Sequence, residues 1–159
     1  MANHQRVDDL FSRFSFDTVG SYAAFLKAHA RALAPLEALA RPVSPRLPML
    51  AQDLAELGET LPDPLAMEAS TDESFRWGAL YTLEGSRLGG AMLERRVAPG
   101  LPRAYLSAVH GHGDWLAFQQ SLDAASEGRG EDWIEGAIQG AEAAFALFAA
   151  AATDGSANG

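Results

Sequence analysis

Apolar positions along the chain recur mostly at spacings of three and four, the repeat of an amphipathic helix. His4, Val7, Phe11 and Phe14 share one helical face over residues 2–14, with Leu10 beside them. This predicts a first helix with a histidine at the start of its apolar stripe. Ser15 to Asp17 interrupt the pattern, and Asp17 or Thr18 offers a side-chain oxygen suited to cap the next helix. That helix is predicted to reach about residue 40, with Tyr22, Phe25, Leu26, His29, Leu33 and Leu36 inward. Pro35 lies inside it and has no N–H to donate, so an irregularity is expected there. Leu47, Leu50, Leu54 and Leu57 mark a third helix over about 46–57, which Gly58 stops. Residues 59–71 contain Pro62 and Pro64, show no period and read as a loop. Ser70 or Thr71 then caps a long helix over about 72–96, ended by Pro99, Gly100 and Pro102. A short helix over 103–109 and a loop at His110-Gly-His-Gly follow. Trp115, Phe118 and Leu122 place a helix at 114–126. Ile134, Ile138, Ala141, Phe145 and Phe148 place a final one over about 130–153.

About seven helices without a strand pattern predict an all-α fold, a compact single-domain helical bundle. The domain is expected to fill residues 1–153, with a disordered tail at 154–159. A chain of 159 residues can bury a core without covalent staples. It has no cysteine, which excludes disulfides, thiolate metal sites and cysteine nucleophiles and fits a reducing cytoplasm. A net charge of -9 argues against nucleic acid as a partner, because phosphate neutralisation needs clustered Lys and Arg. The opening MANHQRVDD holds no apolar leader, and the richest apolar stretch, Ala141 to Ala152, contains Glu142 and is short. No membrane span is therefore expected.

The long helix departs from its own logic in the middle. Residues 77–95 read WGALYTLEGSRLGGAMLER, with helix-forming flanks around Gly85, Gly89 and Gly90. Each mid-helix glycine costs about 1 kcal/mol relative to alanine, so the three together cost about 3 kcal/mol. Something should offset that. Tyr81, Gly85 and Gly89 are four apart and share a face. A strip without side chains serves either close contact with another helix or close approach of a flat cofactor, and spacing alone does not choose.

The string LYTLEGSRLGG, Leu80 to Gly90, resembles the distal-helix motif of bacterial haem oxygenases, of the form LYVxEGSxLGG. NHQRVDDLFSRF, Asn3 to Phe14, is similar to the proximal-helix segment of the bacteriophytochrome-associated members. YAAFLKAHARALAPLEAL and RLPMLAQDLAELG look like family segments in the expected order. The resemblance implies a haem oxygenase-like bundle that takes haem b as cofactor and substrate. It implies cleavage to biliverdin, iron and carbon monoxide, using O₂ and electrons from a donor such as ferredoxin or a flavin reductase. Carried over by position, His4 matches the proximal ligand of the haem iron. Gly85 and Gly89 match the distal glycines, Tyr81 a partner for a haem propionate, and Ser86 the motif serine beside the distal glycine. Only Met1, Ala2 and Asn3 precede His4, so no upstream basic residue is available here. Arg6, Arg13, Lys27 and Arg87 are the candidate propionate anchors. A non-catalytic haem- or tetrapyrrole-binding protein of the same fold is the alternative. Among relatives of the fold, the di-iron oxidases need a Glu-x-x-His element and the thiamin-degrading ones a cysteine, and both are missing.

The remaining residue types have plainer expectations. His29 reads as a satisfied core histidine and otherwise as a substitute ligand. His110 and His112 have metal-pair spacing but no third ligand by sequence, so a solvated turn is expected. Glu84 should lie near a buried face and bond the backbone or an arginine. Trp77, Trp115 and Trp133 read as packing, and Arg87, Arg95 and Arg96 as solvated faces.

Overall fold

The computed structural model describes residues 2–68 and 70–157, with side chains for 7–68 and 70–154. Among these residues there are six helices and no strand: α1 (Ala2–Phe11), α2 (Val19–Ala40), α3 (Leu47–Glu56), α4 (Glu73–Glu94), α5 (Asp114–Ser126) and α6 (Glu131–Ala157). The predicted all-α bundle is the observed one. Thr18 caps α2 by accepting the Ser21 N–H at 3.3 Å. Pro35 is accommodated inside a continuous α2. α3 stops where Gly58 takes a φ of 76°, a conformation that favours glycine. α4 starts one residue later than expected, with Asp72 at its N-cap, and α6 continues past residue 153 to Ala157.

One predicted helix does not form. Residues 103–109 make turns, and two side chains fasten this segment and the residue before it from outside. The Tyr22 hydroxyl donates to the Pro102 carbonyl at 2.7 Å. The buried Asp53 carboxylate accepts the Ala104 and Tyr105 N–H groups at 3.0 and 2.9 Å. The Ser107 N–H makes one helix-type bond, to the Arg103 carbonyl at 2.9 Å, but the Ala108 and Val109 N–H groups turn to the Tyr105 and Ser107 carbonyls instead.

α6 is the spine. α1, α2 and α4 all pack on it, and α2 also carries α3 and α4. The core between them is aromatic, with Phe11, Phe14, Phe16, Tyr22 and Phe25 in edge-to-face, stacked or tilted pairs. By length and mean hydropathy Glu131–Asp154 is apolar enough to cross a membrane, contrary to the expectation that no segment was. In this structure a third of its most apolar stretch is buried, with Ala144, Phe148, Ala151 and Ala152 in the core, while Ile134 and Ile138 are exposed.

α4 and α6 approach unusually closely. A Cβ on Gly78 would overlap the Ala137 carbonyl, one on Gly140 the Phe75 carbonyl, and one on Gly136 the Ser74 side chain. Helix-on-helix contact through small residues thus exists in this bundle, at Gly78 and on α6 rather than at Gly85 and Gly89.

Candidate functional site

The exposed side of α4 carries Tyr81, Gly85, Leu88, Gly89 and Met92, a stripe at intervals of three and four along Glu73–Glu94. A Cβ built on Gly89 meets nothing within 4 Å. One built on Gly85 meets only the Trp115 ring, at 3.9 Å. Gly89 therefore borders open space, and Gly85 borders the Trp115 ring. Around them the side chains are apolar and uncovered: Tyr81 is 44% exposed, Leu88 51% and Met92 72%. Leaving leucine and methionine in water costs hydrophobic free energy, and here they flank a bare backbone. Gly90, the third glycine, has a different use: its missing side chain lets the Leu106 carbonyl come to 3.1 Å from the Cβ position.

The opposite side of α4 is fixed. Arg46 is buried at the start of α3, and its guanidinium donates to the Leu83 carbonyl at 3.1 Å and to the Ser86 hydroxyl. Ser86 in turn donates to the Leu83 carbonyl at 2.7 Å. The Arg46 backbone is itself held by Glu37, whose carboxylate accepts the Arg46 and Leu47 N–H groups at 2.7 and 3.0 Å. These are the free donors of the α3 N-terminus, and a carboxylate there complements the helix dipole.

A third contact reaches α4 from the loop after residue 109. The His110 Nε2 lies 2.8 Å from Glu84 Oε2, and Arg87 Nε donates to the same oxygen at 3.0 Å. Arg87 also donates to the Ala108 and Ser44 carbonyls. The solvated turn expected at His110 and the solvated face expected at Arg87 are thus both corrected: each side chain is enclosed around Glu84. His112 is exposed. Glu84 does bond an arginine beside a buried face, as its position suggested.

His29 is a core histidine. Phe11, Phe25 and Phe148 surround it, and its Nδ1 is 2.7 Å from the Tyr105 hydroxyl. Desolvation, helped by the nearby Arg46 charge, pushes its pKa down to about 3, so the ring is neutral. The same burial raises the pKa of the Tyr105 and Asp53 side chains. Of the expected propionate anchors, Lys27 pairs with Glu59 at 2.6 Å, Arg87 is committed to Glu84, and Arg13 is exposed. The side chains of His4 and Arg6 lie outside the described residues. The α1 backbone packs on α6, as α4 does.

Arg46, Glu37 and Asp53 were not singled out by sequence. Each is a charged residue bordering an apolar helical face, a weak sign that many solvated residues share. The test for a flat, largely apolar group such as haem is whether the bare strip borders free space and apolar side chains. Gly85, Gly89, Leu88 and Met92 meet it.

No family model matches the chain. It is 35% identical to the haem oxygenase of Xanthomonas campestris pv. campestris (strain 8004), over 65% of this chain and 64% of that protein. The match thus spans just under two thirds of the relative's length. The NO- and CO-bound haem oxygenase from Neisseria meningitidis, a crystal structure, superposes with a TM-score of 0.79 at 27% identity, over 97% of this chain and 86% of that one. In both sequence and fold, then, the chain is similar to bacterial haem oxygenases.

Proposed function

We propose that this chain is a haem oxygenase, which holds haem b between α1 and the glycine strip of α4. It cleaves the haem to biliverdin, iron and carbon monoxide with O₂ and electrons from an external donor such as ferredoxin or a flavin reductase. The observation that carries the reading is the open space over Gly89, bounded at the Gly85 end by the Trp115 ring and flanked by uncovered apolar side chains. Haem, once bound, supplies both the iron that activates oxygen and the ring carbon that is oxidised.

The chain's own residues have separate tasks. His4 on α1 offers a neutral imidazole to the iron. Gly85 and Gly89, bare of side chains, would let a flat group approach the α4 backbone, which no residue with a Cβ allows equally. Tyr81, exposed at the start of the strip, would donate its hydroxyl to a propionate. Ser86 keeps the distal turn in place through Arg46 and the Leu83 carbonyl. Leu88 and Met92 exclude water from the ring edge. The absence of cysteine suits a cytoplasmic setting.

The test is a hemin titration followed by reduction. Wild-type protein should give a sharp Soret band that His4→Ala loses and added imidazole restores. With ascorbate or a reductase system the band should fade while a bilin band rises. An unchanged spectrum in His4→Ala removes His4 as the ligand. Bleaching without a bilin would leave haem binding without turnover.

A further inference from the structure

The strip on α4 is closed at one end and open at the other. The space over Gly89 is empty to 4 Å, whereas the space over Gly85 is bounded by the edge of Trp115. We propose that Trp115 is a positioning residue that fixes how far haem can slide along α4, and so determines which meso carbon is presented for attack. This rests on the haem oxygenase reading.

Three observations favour a wall over ordinary packing. First, α5 contributes no fully buried residue and touches the bundle chiefly through α4, so Trp115 is not demanded by the core. Second, the ring is nevertheless well held. It stacks on Phe118 at 5.6 Å between centroids and contacts Tyr81 at 6.0 Å and His110 at 5.6 Å. Third, the brace and the strip share one turn of helix. His110 is fixed by Glu84, the residue before Gly85, and Glu84 is held by Arg87. Any movement of the strip therefore carries the wall with it.

A wall of this kind has work to do. A porphyrin is close to square, so a bare apolar bed discriminates poorly among its in-plane placements. A rigid edge converts a small shift into a steric clash, which is a stronger discriminator than apolar area alone. Tyr81 lies against the same indole, so the wall and the proposed propionate contact are set together.

The test uses the ferric, cyanide-bound haem complex of the full chain. The proton NMR pattern of the hyperfine-shifted haem methyls reports in-plane seating independently of turnover. Wild type and Trp115→Phe should each give one dominant methyl set and one dominant biliverdin isomer. Trp115→Ala should give a second methyl set or a changed order of shifts, together with a mixture of isomers. Trp115→Leu keeps an apolar contact for α5 without the planar edge, and it carries the same expectation if the alanine variant unfolds. A folded, haem-loaded Trp115→Ala or Trp115→Leu protein with the wild-type methyl pattern and isomer overturns the wall and leaves the enzyme reading intact. Failure of the wild type itself to bind hemin overturns both.

Discussion

Two sets of glycines meet on the same helix and do opposite things. Gly78 faces α6, where together with Gly136 and Gly140 it lets two backbones touch, and its missing side chain is replaced by protein. Gly85 and Gly89, on the exposed stripe, are bounded by little or nothing. Packing offsets the cost of the first set within the folded chain. The second set has no such compensation in the protein alone, although each glycine lowers helix stability by about 1 kcal/mol against alanine. An uncompensated local cost at an open surface is the mark of a site shaped for something else.

At neutral pH the largest effect should come from the packed set. Gly140→Ala places a Cβ on the Phe75 carbonyl, and neither helix can move without disturbing the other. A loss of about 3 kcal/mol is expected, the upper end for overpacking, read as a lowered urea midpoint. A midpoint equal to wild type would mean that the close approach of α4 and α6 is not real.

Next comes the anchored face of α4. Arg46→Ala leaves the Leu83 carbonyl and the Ser86 hydroxyl without their charged donor, at a cost of about 2 kcal/mol. It should also weaken hemin binding, because the glycines flank that turn. Loss of stability with unchanged hemin affinity would separate the anchor from the site.

The core beneath responds to pH. The folded-state pKa of His29, about 3, lies below its ordinary 6.5, so the unfolded chain takes up the proton first. Its contribution is complete above about pH 6.5 and is lost as pH falls toward 3, at no more than about 1.4 kcal/mol per pH unit. Denaturant melts between those limits should show this slope, and His29→Phe should flatten it. A slope that persists in His29→Phe assigns the acid sensitivity elsewhere.

The smallest effect has the opposite sign. Gly89→Ala adds a methyl where nothing stands within 4 Å, so the haem-free protein should gain about 1 kcal/mol. Hemin should bind it more weakly. Stabilisation without any loss of hemin affinity would remove the reason for glycine at this position.

Much of this was legible in the residues. The three-and-four spacing of Leu47, Leu50 and Leu54, or of Trp115, Phe118 and Leu122, fixes helices wherever one face alone is apolar. The Gly85 and Gly89 strip was visible as an exception to helix propensity. What escaped depends on partners far apart in the chain. Residues 103–109 are tied down by Asp53, about fifty positions away in sequence, which takes the Ala104 and Tyr105 N–H groups. His110 turns inward because Glu84, on α4, is there to receive it. The choice between a helix contact and an open bed was also beyond the local pattern, since Gly78 and Gly85 carry the same residue type on one helix and only α6 tells them apart.

The most direct measurement is a hemin titration of Gly89→Leu beside wild type, with the Soret band as the signal and circular dichroism confirming the helices. Wild type should bind one haem, and the leucine variant should keep its fold while binding at least about 100-fold more weakly, a difference of roughly 2.7 kcal/mol. Equal affinity and an identical Soret band in the two proteins would place the haem somewhere other than this strip.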